Sequence, residues 1–246
     1  MTEANKKLLI EIRKLKELHP NWGYRRVWAY LRHRMNLPVN HKRVYRLMKL
    51  HDLLVPKNRK LKAKRQSTTS KPRSFEPNRL WGMDMTKILI PSYGWAYLHI
   101  TLDWGSKKIV GVNLRKSSKT QDWFDCLSQA VNDQFPKGIR EQKQVLQLVT
   151  DNGCQPTSKL FQIKCRTLQI QQIFTSYCNP KGNADTERVI RTIKEDLVWT
   201  NEWESFEQLE KAILQWVKDY NEDFPHMALA YMTPYQYEQW YIAATA

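Results

Sequence analysis

Three carboxylates stand where an acid needs an explanation. Asp84 interrupts the apolar run "LWGMDMTKILI", Asp151 directly follows "VLQLVT", and Glu187 lies in "NPKGNADTERVIRTIKEDL". A charge inside an apolar strand is costly unless something compensates it, and a divalent cation would do so. Asp151 has a simpler reading as well, because Asp-Asn-Gly tolerates the backbone angles of a turn. Glu187 is either a helix-start glutamate on a solvated stripe or the third oxygen donor of a magnesium site. On a helix of 100° per residue, Val189, Ile190, Ile193 and Leu197 form an apolar face, and Glu187, Arg191 and Lys194 share the stripe beside it.

The elements that must position these acids follow from periodicity. "LWGMDMTKILI", "WAYLHITLDW" and "KKIVGVNL" read as three consecutive strands, reversed at Tyr93-Gly94 and Gly105-Ser106. A helix over 121–135 follows, then strand "VLQLVT", a helix around 160–168 and strand "IQQIFT". Helices over about 184–199 and 206–220 finish the core. The expected class is α/β, a ribonuclease H-like mixed sheet flanked by helices. If the first and fourth strands are neighbours, Asp84 comes close to Asp151. Asp103, at the end of the second strand, reads as structural or as support to the site rather than as a ligand.

The N-terminal part has a different texture. Leu8, Leu9, Ile12, Leu15 and Leu18 predict a helix over 3–18, "YRRVWAYLRHRM" a second, and "HKRVYRLMKLH" a third with Asn40 as N-cap. In the third helix Val44, Leu47, Met48 and His51 face inward and His41, Lys42, Arg43, Arg46 and Lys49 outward. This looks like a small all-α helix-turn-helix domain.

Charge separates the same parts. The formal net charge is +16, yet residues 1–73 hold 21 of the 40 Lys and Arg against four acids, so the basicity belongs to one end of the chain. A face meant only for water mixes signs, so this concentration predicts a polyanion, with nucleic acid first. Lys57 to Arg73 carries eight basic residues, Lys60, Lys62, Lys64 and Arg65 among them, and no acid; it reads as a linker that orders on phosphate. The expected division is 1–56 helix-turn-helix, 57–76 basic linker, and 77–246 catalytic core with C-terminal helices.

Cys126, Cys154, Cys165 and Cys178 form no CxxC pair and are expected to be reduced, buried thiols. His19, His33, His41 and His51 have no cysteine nearby to complete a zinc site. No run approaches the ~20 apolar residues of a membrane span, and "MTEANKKLLIEIRKLKE" lacks the apolar core of a signal peptide, so a soluble, intracellular chain without membrane contact is expected.

Taken together, "MDMT", "YLHITLDW", "TDNGCQP" and "NPKGNADTERVIRTIK" resemble the carboxylate motifs of DDE transposases and retroviral integrases. The 35 residues between Asp151 and Glu187 match the spacing of that superfamily, and Lys194 stands seven past the glutamate, where many members carry Lys or Arg. Within it the chain is similar to the second-frame transposases of bacterial insertion sequences. "NWGYRRVWAYLRHRMNLPVNHKRVYRLMKLHDL" resembles their helix-turn-helix and "YNEDFPHMALAYMTP" their closing motif. Phe224 departs from the usual arginine, and Cys178 from a frequent serine.

The resemblance implies a polynucleotidyl transferase that uses Asp84, Asp151 and Glu187 to hold two Mg²⁺ ions, with Mn²⁺ as a substitute. It implies water-driven cleavage at transposon ends, then attack of the freed 3′-hydroxyl on target DNA. Lys194, Arg191, Lys42, Arg43, Arg46, Lys49 and the linker cations become DNA contacts. A homo-oligomer assembled on DNA is implied, and so is an upstream-frame helix-turn-helix and leucine-zipper protein as partner or fusion. Two other readings are a non-catalytic DNA-binding protein of the same element and a ribonuclease H-like nuclease. His226 either approaches the site or is a packed loop histidine.

Overall fold

The leucine and valine spacings of the N-terminal part fold as three helices in the computed structural model, α1 (Glu3–Leu18), α2 (Tyr24–His33) and α3 (His41–Leu50). The structure describes residues 2–56, 74–142, 144–175 and 182–245. Lys60, Lys62, Lys64, Arg65 and Cys178 lie outside them.

The chain divides into two compact units. One takes the described residues of 1–67 together with Asp223–Thr233, and the other takes those of 68–222 and 234–246. In the first, Ile12, Val27, Leu31, Val44 and Met48 are fully covered, which is the apolar stripe of each helix closed on the others. Asn40 caps α3, its Oδ1 accepting from the Lys42 amide at 2.8 Å. The indole of Trp28 donates to the Val39 carbonyl at 2.8 Å and anchors the loop between α2 and α3. Phe224 is buried edge-on against Trp22, with the Arg26 guanidinium 4.2 Å from its ring centroid. Tyr231 meets Trp28 edge-on at 5.4 Å. The closing motif thus completes the core of the helical unit, an affiliation hydrophobic period alone could not reveal.

The second unit is built on a five-stranded sheet. Its strands are β1 (Leu80–Ile90), β2 (Gly94–Asp103), β3 (Ile109–Arg115), β4 (Gln147–Thr150) and β5 (Gln171–Phe174), in the order β3-β2-β1-β4-β5. The first three form an antiparallel meander, and β4 and β5 run parallel to β1. Helices α4 (Thr120–Gln134) and α5 (Lys159–Thr167) carry Trp123, Leu127 and Phe161 into one core with Trp81 and Met83 of β1. Side chains alternate across a strand, so Gly82 and Asp84 face the other way, towards α6 (Ala184–Ile193).

The long helix expected over 184–199 changes character at Lys194. Residues Lys194–Val198 form a π-helical turn in which the Trp199 amide reaches back to the Lys194 carbonyl at 2.8 Å. Such widened turns are rare and often stand at functional sites. After α7 (Phe206–Asp223) comes α8 (Pro234–Thr245), which has no counterpart among the predicted helices. It is held by contacts rather than by an apolar stripe: the Tyr237 hydroxyl donates to the Phe75 carbonyl at 2.8 Å, and Glu238 pairs with Lys108 at 2.6 Å. No helix among the described residues is long and apolar enough to cross a membrane.

Candidate active site

Asp84 sits in the middle of β1, paired across the ladder with Ile100 of β2. On the other side of β1 the parallel ladder with β4 ends at Gly82 opposite Val149. Two residues on from that last pair, Asp84 lies in β1 and Asp151 just past the end of β4, so the two acids stand at the same end of the β1–β4 ladder. Asp151 is exposed, and its Oδ1 accepts from the Gly153 amide at 3.0 Å. It therefore makes the turn that Asp-Asn-Gly predicts while its remaining oxygen lone pairs stay available. Asn152 donates to the Thr175 carbonyl at 2.5 Å, tying this turn to the end of β5.

Glu187 is exposed in the first turns of α6. Three contacts fix that end of the helix against β1 and the turn after β2. Asn183 donates to the Met83 carbonyl at 3.2 Å, next to Asp84 in sequence. The Trp104 indole donates to Thr186 Oγ1 at 3.1 Å, and Lys107 pairs with Asp185 at 3.2 Å. Gly82 supplies the space: a Cβ there would strike the Thr186 hydroxyl and the Trp104 indole, and would lie 2.8 Å from Asn183 Oδ1. Sequence reasoning overlooked Gly82, Trp104, Asn183 and Thr186. The available signal was a lone glycine inside a strand, which marks close approach of another element.

The electrostatics join the three acids. Burial raises the Asp84 carboxyl to about 7 against the Met85 amide, which donates at 2.8 Å and favours the charged form; the negative charges of Asp151 and Glu187 raise it further, and Lys194 lowers it. Lys194 is half-buried, its ammonium lowered by burial and supported by the charge of Asp84. Among the described residues no three His, Cys, Asp or Glu side chains come together as a group that could hold a metal ion. The acids form an open arrangement, close enough to feel one another.

The remaining predicted residues fall as follows. Arg191 is exposed and ion-paired with Glu195 at 2.6 Å. On α3, Lys42, Arg46 and Lys49 are exposed, whereas Arg43, expected outward, is half-buried because its Nε donates to Asn5 Oδ1 of α1 at 2.9 Å. Tyr45, edge-on to Tyr24, adds an aromatic to the outward face that sequence reasoning did not single out. Asp103 is fully buried, and its carboxylate accepts from the Ser106 amide at 2.9 Å and the Gly105 amide at 3.3 Å, which makes it the cap of the β2–β3 turn. His226 packs on the Phe224 ring at 5.1 Å. Cys126 and Cys165 are buried thiols as expected, but Cys154 is exposed, because it follows the Asp151 turn rather than continuing β4.

Two integrase core domain families match residues 75–180 and 168–234, and an HTH-like domain family matches residues 3–60. The transposase for insertion sequence element IS904 of Lactococcus lactis is 29% identical over 221 residues, which cover 85% of this chain and 84% of that protein. Transposase InsD of insertion element IS2 of Escherichia coli is 26% identical over 224 residues, 89% of this chain and 73% of the relative. The fold is shared with the simian T-cell lymphotropic virus intasome in complex with PP2A regulatory subunit B56 gamma (TM-score 0.57, 18% identity, 92% of this chain and 74% of that one). It is also shared with the catalytic domain of Mos1 mariner transposase (TM-score 0.52, 14% identity, 68% of this chain and 82% of that one). The chain thus joins an HTH-like domain to an integrase core domain and is similar over most of its length to insertion-sequence transposases.

Proposed function

We propose that the chain cleaves DNA at the ends of its element and joins the freed ends to target DNA, with Asp84, Asp151 and Glu187 as the catalytic acids. The observation that carries this reading is that Asp84 and Asp151 each stand two residues past the last β1–β4 pair, Gly82 with Val149, and that the charges of Asp151 and Glu187 both act on the Asp84 carboxyl. Transposases of both curated relatives support an enzyme, a polynucleotidyl transferase, over a non-catalytic DNA-binding protein or a separate nuclease.

The donor set fits a divalent cation. Mg²⁺ is commonly held by one or two carboxylates, with phosphate oxygens and waters completing its octahedron, so an open group of acids suits it better than a closed cage would. Asp84 is the sharpest indication, since a carboxyl that burial and like charges protonate near neutral pH is one that a cation would ionise. Asp84, Asp151 and Glu187 would hold two Mg²⁺ ions, or Mn²⁺ in their place, which would supply positive charge for an in-line displacement at phosphorus.

The chain's own residues do the rest. The Asp151 turn and the first turns of α6 orient their acids around Asp84. Lys194 binds a phosphate of the DNA end, and Arg191, once released from Glu195, a neighbouring one. Water attacks first at the transposon end; the freed 3′-hydroxyl then attacks target DNA, without a covalent protein intermediate. In the helical unit Lys42, Arg46 and Lys49 contact the DNA backbone, with Arg43 bracing α3, and Lys60, Lys62, Lys64 and Arg65 extend the phosphate contacts. A homo-oligomer forms on DNA, and an upstream-frame protein carrying a further helix-turn-helix and a zipper joins it, as partner or fusion.

The test is Mg²⁺-dependent cleavage and strand transfer on the element's own end DNA, with and without the upstream-frame product. Cleavage that needs divalent cation and stops on Asp84→Asn supports the reading; cleavage without cation sinks it.

A further inference from the structure

Beyond Gly82 the edge of β1 that faces away from β2 has no strand partner among the described residues, because β4 ends at Thr150. Beside that stretch opens a cleft of about 780 Å³. One wall comes from the β1–β2 hairpin, with Lys87, Leu89 and Trp95; the other starts at Lys194 and includes Trp199. The Ser92 hydroxyl donates to the Glu204 carbonyl at 2.5 Å and links the two walls. The cleft is in the size range of pockets that enclose a small molecule, about 300–1,000 Å³.

Its lining is unusual for a surface that meets only water. Trp95 is 52% exposed and Trp199 66% exposed, so each presents much of an indole to the solvent. Leu89 pairs across the hairpin with Trp95, and Lys87 with Tyr97, whose ring the Lys87 ammonium covers at 5.6 Å. Lys194 belongs both to this lining and to the surroundings of Asp84. Lys194 therefore stands between the cleft and the acids. Glu202 and Glu204 also line it and offset the formal charge of the two lysines, so it is no general trough for polyanions.

We propose that the cleft binds unpaired nucleotides of the DNA strand that runs past Asp84, their bases stacked on Trp95 and Trp199 and their phosphates beside Lys87 and Lys194. The assignment deepens the catalytic reading above and rests on it for the direction of the strand. A paired duplex offers a protein its base edges and phosphates; an indole face is satisfied by the face of a base taken out of its stack. Such stacking tolerates any base, so the cleft holds the strand without reading its sequence. The glutamates keep phosphates to the lysine side.

The experiment measures binding without divalent cation, so that turnover does not enter. End DNA of the element carries 2-aminopurine in the nucleotides adjoining the scissile phosphate, either fully paired or with those nucleotides unpaired. Wild-type protein is expected to quench the unpaired probe, and Trp95→Ala and Trp199→Ala each to lose quench and bind that DNA about 5- to 150-fold more weakly. Binding of the fully paired DNA should stay unchanged. Trp95→Phe and Trp199→Phe keep a ring and should restore most of the affinity, which separates lost stacking from lost folding.

Equal weakening on both DNAs, or none on either, overturns the assignment. So does a change of oligomeric state by light scattering with the quench intact, which would make the β1 edge a docking site for a protein strand. The two readings separate cleanly: an Asp84→Asn protein that still cleaves removes the catalytic assignment and leaves the quench standing, whereas a missing quench in an active wild type removes only the cleft.

Discussion

The indole N–H of Trp104, just past β2, donates to the Thr186 hydroxyl of α6 at 3.1 Å, directly over Gly82. One bond thereby sets how closely the helix that carries Glu187 approaches the strand that carries Asp84. The first prediction is that Gly82→Ala lowers strand transfer by at least an order of magnitude. The new methyl group forces α6 outward, an overpacking that costs about 1–3 kcal/mol of stability. Calorimetry with a cleavage assay checks both, and full activity in Gly82→Ala would show that α6 has slack the contacts do not suggest.

The second prediction concerns pH in the absence of divalent cation. Asp84 releases its proton at about 7 in the folded chain and near 3.9 when unfolded. Between those values the folded state binds the extra proton, so this term falls away as pH rises from about 4 to 7 and is gone above 7. Asp84→Asn should therefore be more stable than wild type at pH 8, by on the order of 2–4 kcal/mol and with a raised thermal midpoint, and not at pH 4. Buried His99 acts with the opposite sign. Burial lowers its imidazole to about 4, so its contribution is full above about 6.5 and is lost as pH falls towards 4. Mg²⁺ at pH 8 should stabilise wild type and leave Asp84→Asn unmoved. A midpoint gap that ignores both pH and Mg²⁺ would count against the assignment.

Lys194 provides the third. Lys194→Ala should slow strand transfer and reduce the magnitude of the salt slope of end binding by about one unit, while Lys194→Arg retains much of the activity, since a phosphate needs charge more than fixed geometry. Arg191→Ala should do less, because its exposed pair with Glu195 is worth only about 0.2–1 kcal/mol. Wild-type transfer by Lys194→Ala at physiological salt would leave the lysine as a bystander.

The fourth separates reading from bracing on α3. Lys42→Ala, Arg46→Ala and Lys49→Ala should each flatten the salt slope of DNA binding by about one unit and leave the thermal midpoint alone. Arg43→Ala should instead lower the midpoint, because its guanidinium holds Asn5 of α1. Deleting the N-terminal residues is a poorer probe, since it also strips the cover from Phe224.

How much of this was legible follows from which interactions are local. Asp84 betrayed itself as a charge among apolar neighbours, and Asp151 by the end of an apolar run. The helix-turn-helix and the strands of the meander followed from period and turn residues. The Trp104–Thr186 bond joins residues 82 apart in sequence and the Gly82 contact with Thr186 residues 104 apart, and no periodicity encodes them. The π turn at Lys194 has no compositional mark. Helix α8 lacks an apolar stripe and is held by Glu238 and Tyr237 to distant partners. The closing motif was recognisable as a motif, but its place in the helical unit depends on Trp22 and Trp28, which the sequence does not connect to it.

The most direct measurement is strand transfer by Asp84→Asn, Asp151→Asn and Glu187→Gln on the element's end DNA in Mg²⁺, beside the affinity of each variant for that DNA. Each substitution keeps shape and removes one carboxylate charge. The expected result is that all three lose cleavage and transfer while folding and binding DNA like wild type. Near wild-type turnover by any one of them would contradict its place among the three catalytic acids.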